Sequence, residues 1–177
     1  MNRPMNNVIL DIETLGKKAG CPILSVAAVM FEPATGRVGQ TFYARIDYQV
    51  ALQYGEPEEE TLLWWQKQSD ESRQEAFGGK ACPNVVACAL RMFIATHCAK
   101  PRVPWGNGAV FDIALLESWF DRVDPQKDDQ GNDRYPGHSG MSPTCAPWCG
   151  CQALMCAPSR LTVKSIVRWP MPCTRSR

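Results

Sequence analysis

The feature that most constrains this chain is Ile23–Phe31, Ile-Leu-Ser-Val-Ala-Ala-Val-Met-Phe, in which Ser25 is the only polar side chain. The run is about half the length needed to cross a membrane. It is rich in β-branched residues and apolar at both parities, which is the pattern of a strand buried on both faces. Its neighbours complete a sheet. Asn7–Ile12 is a short β-branched run before it, Pro33-Ala34-Thr35-Gly36 is a turn after it, and Thr41–Ile46 alternates as a third strand. Helical spacing then takes over in Glu58–Gln68, Asp70–Phe77 and Pro83–Cys98. Val103–Trp105 is a fourth strand, Gly106-Asn107-Gly108 a turn, and Ala109–Arg122 a helix with Phe111, Leu115 and Trp119 in register. The expected fold class is α/β: a mixed sheet, with the first strand central, flanked by helices.

Composition matters mainly for what it excludes. With 177 residues and 45% hydrophobic content, the chain has room for one domain with a true core. No stretch approaches about 18 apolar residues, and the first residues lack a signal-peptide core. We therefore expect a cytoplasmic protein with no membrane partner, whose nine cysteines are free thiols rather than disulfides. Net charge is +1, but residues 135–177 hold five basic side chains (Arg160, Lys164, Arg168, Arg175, Arg177) and no acid. The same segment carries five Cys and six Pro with no period of either kind. The expected organisation is a domain over 1–134 and an aberrant, poorly ordered tail over 135–177. In that tail Cys145, Cys149, Cys151 and Cys156 lack the paired Cys-x2-Cys spacing of zinc ribbons.

Chemistry concentrates at the end of the first strand, in Asp11-Ile12-Glu13. Positions i and i+2 of a strand share a face, so both carboxylates project together. Two adjacent like charges are costly unless a cation neutralises them, and hard oxygen donors suit Mg²⁺ or Mn²⁺. Asp-x-Glu alone reads more simply as two solvated acids at a strand end. A second segment, Trp105-Gly-Asn-Gly-Ala-Val-Phe-Asp112, places Asp112 in the first turn of an apolar helix. There it either favours the helix dipole or serves as a third carboxylate beside the first strand.

Three segments in order carry a resemblance. Asp11-Ile-Glu-Thr-Leu-Gly-Lys-Lys with Pro22–Phe31, Leu63-Trp64-Trp65-Gln66-Lys67-Gln68-Ser69 followed by Glu71 and Arg73, and Trp105–Asp112 resemble the prophage-type 3′→5′ exoribonucleases. These belong to the DEDD exonuclease superfamily of ribonuclease-H-like fold. The resemblance implies two-metal phosphodiester hydrolysis (Mg²⁺ or Mn²⁺, two ions) at the 3′ end of RNA or DNA, with RNA favoured. Asp11 would bridge both ions, Glu13 would hold the one carrying the water, and Asp112 the other. It further implies substrate contacts by Thr14, Leu15, Trp65, Asn107 and Phe111, and assembly as a homodimer. For Trp65, core packing competes with a place in the nucleotide cleft. For Asn107, a left-handed turn competes with substrate contact.

The family's third motif, His-x-Ala-Leu-x-Asp on a last helix, is missing. No acid follows Asp133, and His138 sits in a loop-like Tyr-Pro-Gly-His-Ser-Gly; His97 falls inside a helix. A slip of reading frame after about Arg134 accounts for this, so the fifth strand and last helix are expected to be missing or disordered. The leading expectation is a 3′→5′ exonuclease weakened by loss of its general base. The alternative is a catalytically dead nucleic-acid-binding module, and a weaker one is a nucleotide phosphatase on the same carboxylates.

Overall fold

The computed structural model describes residues 5–106 and 111–136. Strands β1 (Asn7–Thr14), β2 (Ile23–Glu32) and β3 (Arg37–Arg45) form an antiparallel meander. After the helices, β4 (Val103–Gly106) pairs with β1 in parallel, giving the order β3-β2-β1-β4. The expected mixed α/β architecture is therefore present, with β1 internal. The apolar run behaves as its composition dictates: every residue of β2 except Glu32 is buried. β1 runs two residues beyond the expected Ile12, so Glu13 is a strand residue paired with Ser25, before a bulge between Glu13 and Thr14. β3 begins at Arg37 rather than Thr41, because the Pro33–Gly36 turn starts pairing at once; Gly36 takes φ 70° there.

The helices are α1 (Tyr48–Ala51) with a 3₁₀ turn at Leu52–Tyr54, α2 (Glu59–Gln66), α3 (Asp70–Phe77), α4 (Pro83–His97) and α5 (Phe111–Val123). α1 has no apolar period to announce it. The Asp47 carboxylate starts it by accepting from the N–H groups of Gln49 and Val50. α3 is capped by Ser69, whose Oγ accepts from Ser72 N at 3.2 Å. One sheet face (Val8, Leu10, Ile12, Val26, Ala28, Met30) packs against Val86, Leu90 and Ile94 of α4 and Leu116 and Trp119 of α5. The other end of the sheet is closed by a smaller cluster of Leu15, Leu24, Trp65 and Ala76.

Two arginines tie distant segments to this frame. Arg122 of α5 donates to the carbonyls of Gly20, Tyr54 and Cys21, which pins the β1–β2 loop. Arg91 of α4 pairs with Asp124 and lies 4.4 Å from the centre of the Phe120 ring. No described helix is long and apolar enough to cross a membrane. The cysteines described, Cys21, Cys82, Cys88 and Cys98, are free. From residue 137 the tail, with His138, its cysteines and the proposed frame slip, lies outside the described residues.

Candidate active site

Asp11 and Glu13 sit on the sheet face opposite the α4–α5 core, registered against Ala27 and Ser25 of β2. β4 reaches the same level from the other side, with its last residue, Gly106, opposite Leu10. Gly106 positions the third carboxylate. A Cβ there would lie 3.0 Å from Asp112 Oδ2 and 3.1 Å from Asp112 Cβ, so Asp112 occupies the space a side chain would fill. Asp112 is buried in the first turn of α5, beside the strand that carries Asp11.

The electrostatics record this convergence. Burial pushes the Asp11 carboxyl up to about 8, with the charges of Asp112 and Glu13 adding to it. Burial likewise pushes Glu13 up to about 7, again with Asp112 adding. The three acids are thus electrostatic neighbours. Among the described residues, no group of three or more His, Cys, Asp or Glu is arranged so as to hold an ion as it stands. In chemistry the donors fit a hard divalent cation: they are carboxylate oxygens, partly desolvated, whose shared negative charge a cation would relieve.

The expected substrate residues divide. Thr14 is buried, and its Oγ1 donates to the Gly16 carbonyl at 2.6 Å. Leu15 is fully buried in the smaller cluster. Trp65 is buried with it and donates Nε1–H to the Thr14 carbonyl at 3.0 Å, while its ring meets Trp64 and Phe77 edge-on. As placed, Leu15 and Trp65 are both buried, pack in the smaller cluster and hold the chain that leaves Glu13. Phe111, one residue before Asp112, is 38% exposed and open to a ligand. Asn107 lies outside the described residues. His97 is exposed on α4 and packs at a tilt against Phe93, the ring centres 5.1 Å apart.

Sequence reasoning missed a polar cluster on the same sheet face. Tyr43 and Arg45 of β3 stand opposite Ala27 and Ser25, continuing the rows of Asp11 and Glu13. Tyr43 O–H donates to Glu75 of α3 at 2.7 Å, and Arg45 Nη1 contacts the same carboxylate at 3.1 Å. The signal was the two-residue alternation of β3, readable once its register on β2 is known.

A parallel strand beside a carboxylate-bearing central strand, with a third acid on the next helix, is the arrangement expected of a ribonuclease-H-like fold. The chain belongs to the 3′-5′ exoribonuclease Rv2179c-like domain family, whose model matches residues 6–153. Among solved structures, apo exonuclease I is similar with TM-score 0.50 and 14% identity over 75% of this chain and 35% of that one. Exonuclease I in complex with the inhibitor BCBP gives the same values. E. coli exonuclease I in complex with a dT13 oligonucleotide has TM-score 0.49 and 14% identity over 72% of this chain. The likeness to the apo enzyme and to the inhibitor complex speaks to the fold; the chain spans about a third of these exonuclease I chains, 33% and 35% of their lengths. No curated protein sequence matches the chain.

Proposed function

We propose that this chain is a divalent-metal-dependent 3′→5′ exonuclease, with RNA favoured over DNA, acting at Asp11, Glu13 and Asp112. The observation that carries the reading is the seating of buried Asp112 over the bare Cα of Gly106, next to the strand that carries the other two acids. Asp11 would be shared between two ions (Mg²⁺ or Mn²⁺), Glu13 would hold the one on the water side and Asp112 the other. When bound, such ions activate water and stabilise the leaving oxygen of an in-line displacement. The chain's own part is to fix three carboxylates on rigid elements and to keep the site partly dry. Exposed Phe111 offers a ring on which the terminal base could stack.

The missing third motif favours a second reading, a nucleic-acid-binding module without turnover. Of the two histidines, His97 is exposed on α4 and His138 follows the described residues. Loss of a general base typically costs about 10²–10⁴-fold. A labelled RNA with a free 3′ end, incubated with Mg²⁺, separates the two. Shortening from the 3′ end that is abolished by EDTA and by Asp11→Ala supports the enzyme. Tight binding without shortening supports the module.

A further inference from the structure

The face that carries the three acids continues across two more strands, and its far side has opposite character. Among the described strand residues, alternation places one cation on this face, Arg45. It stands in the Glu13–Ser25–Arg45 row, two strand spacings or roughly 10 Å from Glu13. Tyr43 stands in the Asp11–Ala27–Tyr43 row and is 39% exposed. Small residues, Ser25 and Ala27, separate the acids from this pair. Gly78 lies beside the guanidinium: a Cβ there would come only to 3.5 Å from Arg45 Nη1.

We propose that Tyr43 and Arg45 form the subsite for the nucleotide next to the scissile one, the ring stacking on its base and the guanidinium holding its phosphate. The proposal rests on the nuclease reading and extends it along the strand. An exposed aromatic with an adjacent cation is the combination by which single strands are held without regard to sequence. At this distance Arg45 is too far for the reacting phosphate and suitably placed for the next. Its bonds to Glu75 run through Nη1, while a guanidinium has five N–H groups in a fork suited to phosphate. The competing role is structural, because Tyr43 and Arg45 also attach α3 to the sheet through Glu75. That ion pair is half-exposed on both sides, so it is a weak anchor.

The two roles separate in a binding experiment on the full chain. The readout is fluorescence anisotropy of a labelled single-stranded RNA decamer in EDTA, over a salt series, with cleavage of the same RNA followed separately in Mg²⁺. Tyr43→Ala is expected to weaken binding about fivefold or more, the low end of one base–aromatic stack. Tyr43→Phe, which keeps the ring and loses the bond to Glu75, binds as wild type. Arg45→Gln weakens binding and lowers the salt slope by about 0.7, one phosphate contact on a single strand; Arg45→Lys restores the slope. Unchanged affinity in Arg45→Gln, or equal losses in Tyr43→Phe and Tyr43→Ala, overturns the subsite. Wild type that cleaves while Arg45→Gln binds normally rejects the subsite alone. Arg45-dependent binding without cleavage keeps the subsite and rejects the enzyme. Wild type that neither binds nor cleaves rejects both.

Discussion

At Gly106 a missing side chain makes room for a functional one. Asp112 fills the space that any Cβ would contest at 3.0–3.1 Å, so Gly106→Ala must push the carboxylate away from β1. A misplacement of about 1 Å at a reacting centre can cost about 10²-fold. We expect that loss in 3′-end cleavage, with a melting temperature close to wild type because Gly106 ends an edge strand. Full activity in Gly106→Ala would show that Asp112 is not needed where it sits. Of this arrangement the sequence displayed the residue types and their spacing along each segment. It could not display the contact between Gly106 and Asp112, because residues 107–110 intervene and nothing local says which way the helix returns. The sequence left Trp65 open between core and cleft for a related reason: its burial, and that of Leu15, depends on α2 folding back over β1, a long-range outcome.

Whole elements were legible wherever one physical signal dominated. β2 announced itself by unbroken apolarity, and α4 and α5 by a stripe that meets the sheet. α1 and its 3₁₀ turn were not legible, since one capping carboxylate and a tertiary clasp hold them in place of an apolar period. That clasp is Arg122, which links α5 to the carbonyls of Gly20, Cys21 and Tyr54; burial holds its pKa below the usual arginine range. Gly55 is required beside it, because a Cβ there would lie 2.6 Å from Arg122 Nη1. Arg122→Met should remove this donor from all three carbonyls, of which Gly20 still accepts from Glu56 N, and cost about 1–3 kcal/mol. Urea unfolding monitored by tryptophan fluorescence measures this. Loss of the β1–β2 loop anchor should also slow cleavage, since that loop follows Glu13. A midpoint unchanged from wild type would assign the clasp no energetic role. Thiol chemistry gives an independent check on the packing. Burial pushes the Cys21 and Cys98 thiols up, so alkylating reagents should label the exposed Cys82 and Cys88 first among these four.

For the molecule as a whole, the site is a charge conflict that the fold sustains, and the conflict has a definite sign with pH. The folded-state values of Asp11 and Glu13, about 8 and about 7, lie above their ordinary values of 3.8 and 4.5. Between those limits the folded protein holds more protons than the unfolded chain, so stability falls as pH rises. Their contribution is complete below about pH 4 and is lost progressively as pH passes through 7 and 8. Other carboxylates titrate at the acid end, so the informative quantity is the difference between wild type and Asp11→Asn in EDTA. Asn is neutral at every pH and relieves Glu13 of one negative neighbour. Asp11→Asn should therefore melt progressively above wild type between pH 5 and pH 8.5, by about 5 °C or more at the upper end. Mg²⁺ should oppose the trend, because an ion that binds only the folded state stabilises it by mass action and neutralises the same acids. Wild type at pH 8 should gain melting temperature with Mg²⁺, and Asp11→Asn should gain little. A difference between the two proteins that stays constant with pH would mean that Asp11 is solvated like an ordinary surface acid, and the case for a shared cation would go with it.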